Sequence, residues 1–293
     1  MFSKKVLLSK LKNFRLSLYL YNRNILSRIA LIMLIMFILI AIFAPVLIPY
    51  PEDVGPTTHV EIALQGPSAE HWFGTDELGR DIFSKVLYGT RISLLSAFVT
   101  VLFATVIGCV LGAIAGSAGG WLGELIMRIT DVFLSFPPTL LAIAITALMG
   151  ASLEHAQLAM VISWWPWYAR IMRSGAISVH ERQFVKSAEA IGTGKLTTIF
   201  RHIMPNCFAP IIIQASMDMG NVVLTLAGLS YLGLGAQTPT PEWGLMVNTS
   251  KSYVLNAWWY CVFPAIAIFL VVLVFNVIGD GLREVLDPKT RKN

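Results

Sequence analysis

Residues 29–49, 92–116 and 258–278 carry no charged side chain. Segments this long and apolar do not suit a surface that faces water. A hydrocarbon core of about 30 Å is crossed by roughly 20 helical residues at about 1.5 Å each. Six segments reach or approach that length: 29–49, 92–116, 132–150, 156–172, 207–233 and 258–278. The fourth is the weakest, because a cluster of tryptophans crowds it and Arg170 ends it. Charged residues make up 13% of the chain, about half of what a soluble domain carries. Lipid is therefore the expected surroundings of most of the chain. The first apolar run is too long for the core of a signal peptide and reads as a retained span. The expected fold class is all-α, with six transmembrane helices.

In a membrane protein the placement of charge matters more than the formal net charge of +5. Residues 1–28 hold seven Lys or Arg and no acid, 170–206 hold six against two acids, and the tail 280–293 holds four. With Arg128, these lie on one side if there are six spans and the N-terminus is cytoplasmic. The opposite side has Arg80, Lys85, Arg91 and Lys251, and its segment 50–91 carries seven acids. Both termini are then cytoplasmic. No nucleic-acid motif stands out.

The chain divides into a cytoplasmic segment, 1–28, and a transmembrane domain, 29–293, with an extracytoplasmic segment at 50–91 and a cytoplasmic loop at 173–205. Leu7, Leu11, Phe14, Leu18, Tyr21 and Ile25 repeat at spacings of four and three among basic residues. That pattern predicts a helix lying on the anionic inner leaflet. Trp164, Trp165, Trp167 and Tyr168, and again Trp258, Trp259 and Tyr260, read as aromatic belts at the two interfaces. Pro166 is expected to bend the fourth span. Cys109, Cys207 and Cys261 are far apart and lack metal-ligand spacing, so they read as small buried apolar residues.

Residues 189–199, EAIGTGKLTTI, contain Gly-Thr-Gly-Lys, close to the core of a phosphate-binding loop. Such a loop needs G-x-x-x-x-G-K-[ST] between a strand and a helix. With the lysine aligned to Lys195, the first glycine is replaced by Glu189 and the hydroxyl residue by Leu196. A carboxylate there repels phosphate, so ATP binding at this segment is rejected. The surrounding residues predict two short amphipathic helices joined at Gly192 and Gly194. Phe184, Val185, Ala188, Ile191 and Leu196 would share the inner face, and Pro205 would lead into the next span. Such an element suits docking in a partner's groove.

This segment resembles the cytoplasmic docking loop of ABC importer permeases. The matching positions are Lys186, Ser187, Ala188, Gly192 and Pro205. Lys186 stands where the family has Glu, and Ser187 where it has Ala; Glu189, one turn later, is a candidate substitute for the acid. HWFGTDELGRDIFSKVLYGTRISL (71–94), LSYLGLGAQTPTPEWGLMV (229–247) and FNVIGDGLREVLDPK (275–289) resemble the second-subunit permeases of peptide and nickel importers. The resemblance implies a type I, MetI-like permease fold. It also implies a homologous second permease, two ATPase subunits that carry ATP and Mg²⁺, and an extracytoplasmic binding protein. The cargo implied is a peptide or related small substrate, with nickel or a metal chelate as the alternative. This chain itself would hold no cofactor.

Intramembrane polar residues are candidates for function. Gln214, Asp218 and Asn221 form one stripe on the fifth span, facing either a translocation path or a partner permease. Met217 and Met219 flank Asp218 but point in other directions, so no metal site is expected. Asp131 is placed at the start of the third span, where a helix dipole favours a carboxylate. Outside, Asp76, Arg80 and Asp81 either pair or cap the next helix, or belong to a gate. Glu242 and Trp243 either close a rigid loop or touch the binding protein. An ion-coupled secondary transporter is the rival of another class, but no inverted repeat is visible. No H-E-x-x-H or G-x-S-x-G supports an intramembrane enzyme.

Overall fold

The computed structural model describes residue 21 and residues 24–286, and every regular element there is helical. The interfacial helix expected over 7–25 falls almost wholly outside the described residues. Helix α1, Ile25–Leu47, starts where the Asn24 side chain accepts the Leu26 N–H at 3.0 Å. A cap of turns and loops follows, with short helical turns at Pro51–Val54 and Val60–Ile62.

Helix α2, Ile82–Ala118, is 37 residues long and exceeds the expected 92–116. Its first turns are too polar to count as a span by composition. They are helical because Asp81 caps them, accepting the Ser84 N–H at 2.7 Å, and because the preceding cap covers them. Gly119, at φ +60°, separates α2 from α3, Gly120–Leu134.

The third span is not the straight helix expected over 132–150. Instead α3 and α4, Pro138–Met149, meet at 85°. Pro137 and Pro138 explain the break: each lacks an N–H, and the residue before a proline is pushed out of the helical region. Asp131 consequently lies in the last turn of α3, not at a helix start. The dipole there disfavours a carboxylate, and Arg170 Nη2 meets it at 2.6 Å.

Helix α5, Leu153–His180, continues through Pro166 without interruption. Helices α6, Gln183–Ala190, and α7, Phe208–Tyr231, flank an irregular helical stretch at Lys195–Thr197, Thr198–Ile203 and Met204–Asn206. Then come α8, Trp243–Ser250, and α9, Trp258–Leu286. Among the described residues, α1, α2, α7 and α9 are each long and apolar enough to cross a membrane, and the α3–α4 pair is a fifth candidate. Tryptophans, Arg170 and Arg173 make α5 less apolar.

Helices α2 and α5 approach closely through Gly108, Gly112 and Gly116, spaced by four. A Cβ at Gly112 would fall 2.2 Å from the Ala169 carbonyl oxygen. Small residues on one face let two backbones touch where lipid offers no hydrophobic drive. Two buried apolar clusters result. One runs from Ile82, Trp243 and Tyr260 at the capped end along the bundle to Ala30 and Ile278; the other surrounds Tyr168, Met172, Cys109, Cys207 and Val185.

Candidate functional site

The segment singled out as a docking element forms α6, a turn and a second helical stretch. Val185 is fully buried in the cluster with Met172, Ile199 and Ile203, and Ala188 is nearly fully buried. These contacts fasten the segment to α5. Phe184, Ile191 and Leu196 do not share that inner face. They are 43%, 85% and 67% exposed, and Phe200 joins them at 50%. The positive φ of Gly192, +86°, turns the chain after α6, so Ile191 and Leu196 leave the helical face that Val185 occupies. Phe184, next to Val185 within α6, points about 100° away from it around the helix.

Gly194 opens the second stretch as its N-cap residue, and Pro205 ends it exposed in the turn Met204–Asn206. Lys186 Nζ forms an ion pair with Glu181 Oε2 and holds that carboxyl below its ordinary range. Ser187 Oγ donates to the Gln183 carbonyl at 2.8 Å. Glu189 Oε1 lies 3.9 Å from His180 Nε2. The lysine at the position of the family's usual Glu therefore has an acid of its own, five residues earlier and just before α6. An exposed apolar patch on a segment anchored from behind can transmit a push into the bundle.

The polar stripe of α7 closes on a residue that the sequence reading placed elsewhere. Tyr168 was expected in an interfacial belt. It is instead fully buried, and its hydroxyl donates to Asp218 Oδ2 at 2.7 Å. Gln214 Nε2 donates to Asp218 Oδ1 at 3.1 Å. Asn221, three residues after Asp218 on α7, is exposed. Asp218 is 3% exposed, so its oxygens are engaged inside the chain, between α5 and α7.

At the capped end, Asp76 accepts from Arg80 Nε at 2.8 Å and from Lys85 Nζ at 2.6 Å. Burial alone would raise the Asp76 carboxyl, but the charges of Lys85 and Arg80 outweigh it and hold the group below the ordinary range. Asp81 caps α2 and meets His71 Nδ1 at 3.0 Å. Asp53 Oδ2 accepts the Asp81 N–H at 2.7 Å, and burial pushes the Asp53 carboxyl up. Lys85, His71 and Asp53 were not among the expected residues. The available signal was that buried charges come in pairs: a cap with seven acids needs its bases close by.

Glu242 and Trp243 do not present side chains to an outward face. Glu242 is 2% exposed and caps α8, accepting the N–H groups of Gly244 and Leu245 at 3.0 and 2.9 Å. Trp243 is fully buried, and its indole N–H donates to the Val86 carbonyl at 2.9 Å. Both hold the loop against α2.

The chain matches the model of the family described as binding-protein-dependent transport system inner membrane component over residues 108–292. Residues 15–67 match the N-terminal transmembrane domain of oligopeptide transport permease C. It is 49% identical to the dipeptide transport system permease protein of Alkalihalophilus pseudofirmus, over 92% of this chain and 88% of that one. It is 43% identical to the probable D,D-dipeptide transport system permease protein of Escherichia coli, over 88% and 86%. The glutathione transport system permease protein of Pectobacterium atrosepticum is 44% identical, over 88% and 85%. Among solved structures, a chain of the inward-facing MetNI methionine ABC transporter aligns with a TM-score of 0.57 at 17% identity, covering 70% of this chain and 97% of that one. That likeness concerns the fold, and it matches the MetI-like arrangement expected from the sequence. With the family match spanning more than half its length, the chain belongs to the inner-membrane permeases of binding-protein-dependent ABC importers.

Proposed function

We propose that this chain is one of two homologous permease subunits in an ATP-driven importer of short peptides or closely related compounds. The observation that carries the substrate class is its identity of 49% with a dipeptide permease along nearly its whole length. The relatives named for dipeptides and glutathione weigh toward peptides and against nickel.

The full arrangement has six spans. The α3–α4 pair forms one and α5 another, with both termini cytoplasmic and the basic N-terminal segment on the inner leaflet. Two ATPase subunits bind ATP and Mg²⁺, and one docks on the patch of Phe184, Ile191 and Leu196, with Lys186, Ser187 and Glu189 at its rim. Val185 and Ala188 pass its motion to α5. Gly192 and Gly194 set the angle of the element, and Pro205 ends it. A soluble binding protein delivers substrate from outside. ATP binding draws the docking elements together and opens the path outward; hydrolysis resets it by rigid-body rocking. Gln214 and Asn221 reach the path or the second permease, with Asp218 orienting Gln214. Asp76, Arg80, Asp81, Glu242 and Trp243 stiffen the outer gate from within.

The test is uptake in proteoliposomes holding both permeases and both ATPases. Labelled dipeptide should accumulate only with the binding protein on the outside and ATP with the ATPases. Uptake driven by a proton or sodium gradient without ATPase subunits would overturn the reading.

A further inference from the structure

A groove of about 580 Å³ runs between α1 and α2. Leu34, Ile38 and Ile42 of α1 line it at spacings of four, and Leu95 and Phe98 line it from α2. Phe275 of α9 forms part of its floor. Ile38, Ile42, Leu95 and Phe98 are 44%, 60%, 57% and 53% exposed, so the chain's own residues leave them open.

One end of the groove is charged. Arg91 lines it and is exposed, with no carboxylate at ion-pair distance among the described residues. It is the last Lys, Arg, Asp or Glu before Glu124. Its height follows from a nearby contact: the Tyr50 N–H donates to Ser84 Oγ at 3.2 Å. Arg91 lies seven residues after Ser84, about 10 Å along α2, and Ile42 lies five residues before the end of α1 at Leu47, with residues 48–50 outside the helix leading on to Tyr50. Arg91 and Ile42 both line the groove, which runs from them away from the cap. The span from Ile42 to Leu34 is about 12 Å, close to the ~15 Å half-thickness of a hydrocarbon core.

We infer that this groove holds one glycerophospholipid, with its phosphodiester on the Arg91 guanidinium and an acyl chain between α1 and α2. A guanidinium at the edge of hydrocarbon needs an anion, and its forked N–H donors fit phosphate oxygens. Basic residues in pockets between transmembrane helices bind lipid head groups in the same way. The inference needs only the membrane setting of the family, not the identity of the cargo.

The complete transporter is reconstituted with a phosphatidylglycerol bearing a diazirine on its acyl chain. After irradiation, labelled peptides are quantified by mass spectrometry. Labelling should concentrate on Leu34, Ile38, Ile42, Leu95 and Phe98, above that of the exposed outer face of α1 at Ile32 and Ile35. Arg91→Ala should lower groove labelling about tenfold, the loss of one charge-assisted contact. Arg91→Lys should lose less. Leu95→Trp should block labelling by filling the groove while leaving Arg91 in place. Groove labelling equal to that at Ile32 and Ile35, and unchanged in Arg91→Ala, would reduce the site to bulk lipid and overturn the inference. A photoreactive residue at position 95 that captures the second permease instead of lipid would overturn it too, by making the groove a subunit interface.

Discussion

The Tyr168 hydroxyl donates to Asp218 Oδ2 at 2.7 Å, joining α5 to α7 across 50 residues of sequence. Through α5 the same bond links the segment around Val185 to the polar stripe of α7. Removing the hydroxyl leaves a buried carboxylate short of a donor, which costs about 1–3 kcal/mol. Tyr168→Phe should therefore unfold earlier in detergent denaturation than the unaltered protein. Asp218→Asn keeps the shape and one acceptor oxygen for Gln214, and its amide N–H can donate to the Tyr168 oxygen in place of the present bond, so its stability should stay closer to normal. If transport falls in Asp218→Asn while stability holds, the residue acts in the path and not only as a strut.

Asp76 faces two bases at once, and both are buried. Asp76→Ala would leave Lys85 and Arg80 without a counter-charge, a loss of about 3–5 kcal/mol. Limited proteolysis between residues 50 and 81 should report it as faster cleavage. The triple replacement Asp76→Leu with Arg80→Met and Lys85→Met, which leaves no buried charge of the cluster unpaired, should recover much of the protection. No recovery would mean that the charges themselves, not their balance, hold the cap.

The same cluster sets a pH dependence. The Asp76 carboxyl is held below its ordinary range, so its contribution is full above the unfolded value of about 3.9 and fades as pH falls below it. Asp53 is shifted the other way by burial, so protonating it favours the folded cap. Cap protection should therefore drop only below about pH 4, and in Asp76→Asn that drop should shrink. A loss of protection already present near neutral pH would contradict the assignment.

Gly112 and Gly228 make a matched pair. A Cβ at Gly112 meets the Ala169 carbonyl oxygen at 2.2 Å, whereas at Gly228 nothing lies within 4 Å. Gly112→Ala should destabilise the solubilised chain by about 1–3 kcal/mol through overpacking. Gly228→Ala should be neutral or gain up to about 1 kcal/mol of helix propensity. Equal melting temperatures for the two variants would refute the close α2–α5 approach.

Gly192 has open space around it but a left-handed backbone. A side chain there is opposed by its own backbone, at about 1–2 kcal/mol, not by neighbours. Gly192→Val should reach the membrane normally yet co-purify less ATPase. Normal co-purification and normal transport would remove the docking role from this corner.

Much of the architecture was legible because lipid imposes simple rules. Uncharged runs near 20 residues become helices, and the glycine corner at 192 follows from glycine's tolerance of positive φ. The 85° break after Leu134 was missed although Pro137–Pro138 announced it, because apolarity alone ran on through 132–150. The start of α2 at Ile82 was missed for the opposite reason. Its first turns are polar, and only the cap folded over them makes a helix there favourable.

The residues alone determined the helical class, the glycine corner at 192 and the departure from the phosphate-loop pattern at Glu189 and Leu196, since each depends on local pattern. Tertiary structure alone decided which polar groups meet. Asp218 finds Tyr168, Asp76 finds Lys85, and Glu242 and Trp243 turn inward. Phe184, Ile191 and Leu196 turn outward although helical periodicity put them inside. Pairing and burial depend on which helices become neighbours, and periodicity within one helix carries no information about the face of the next.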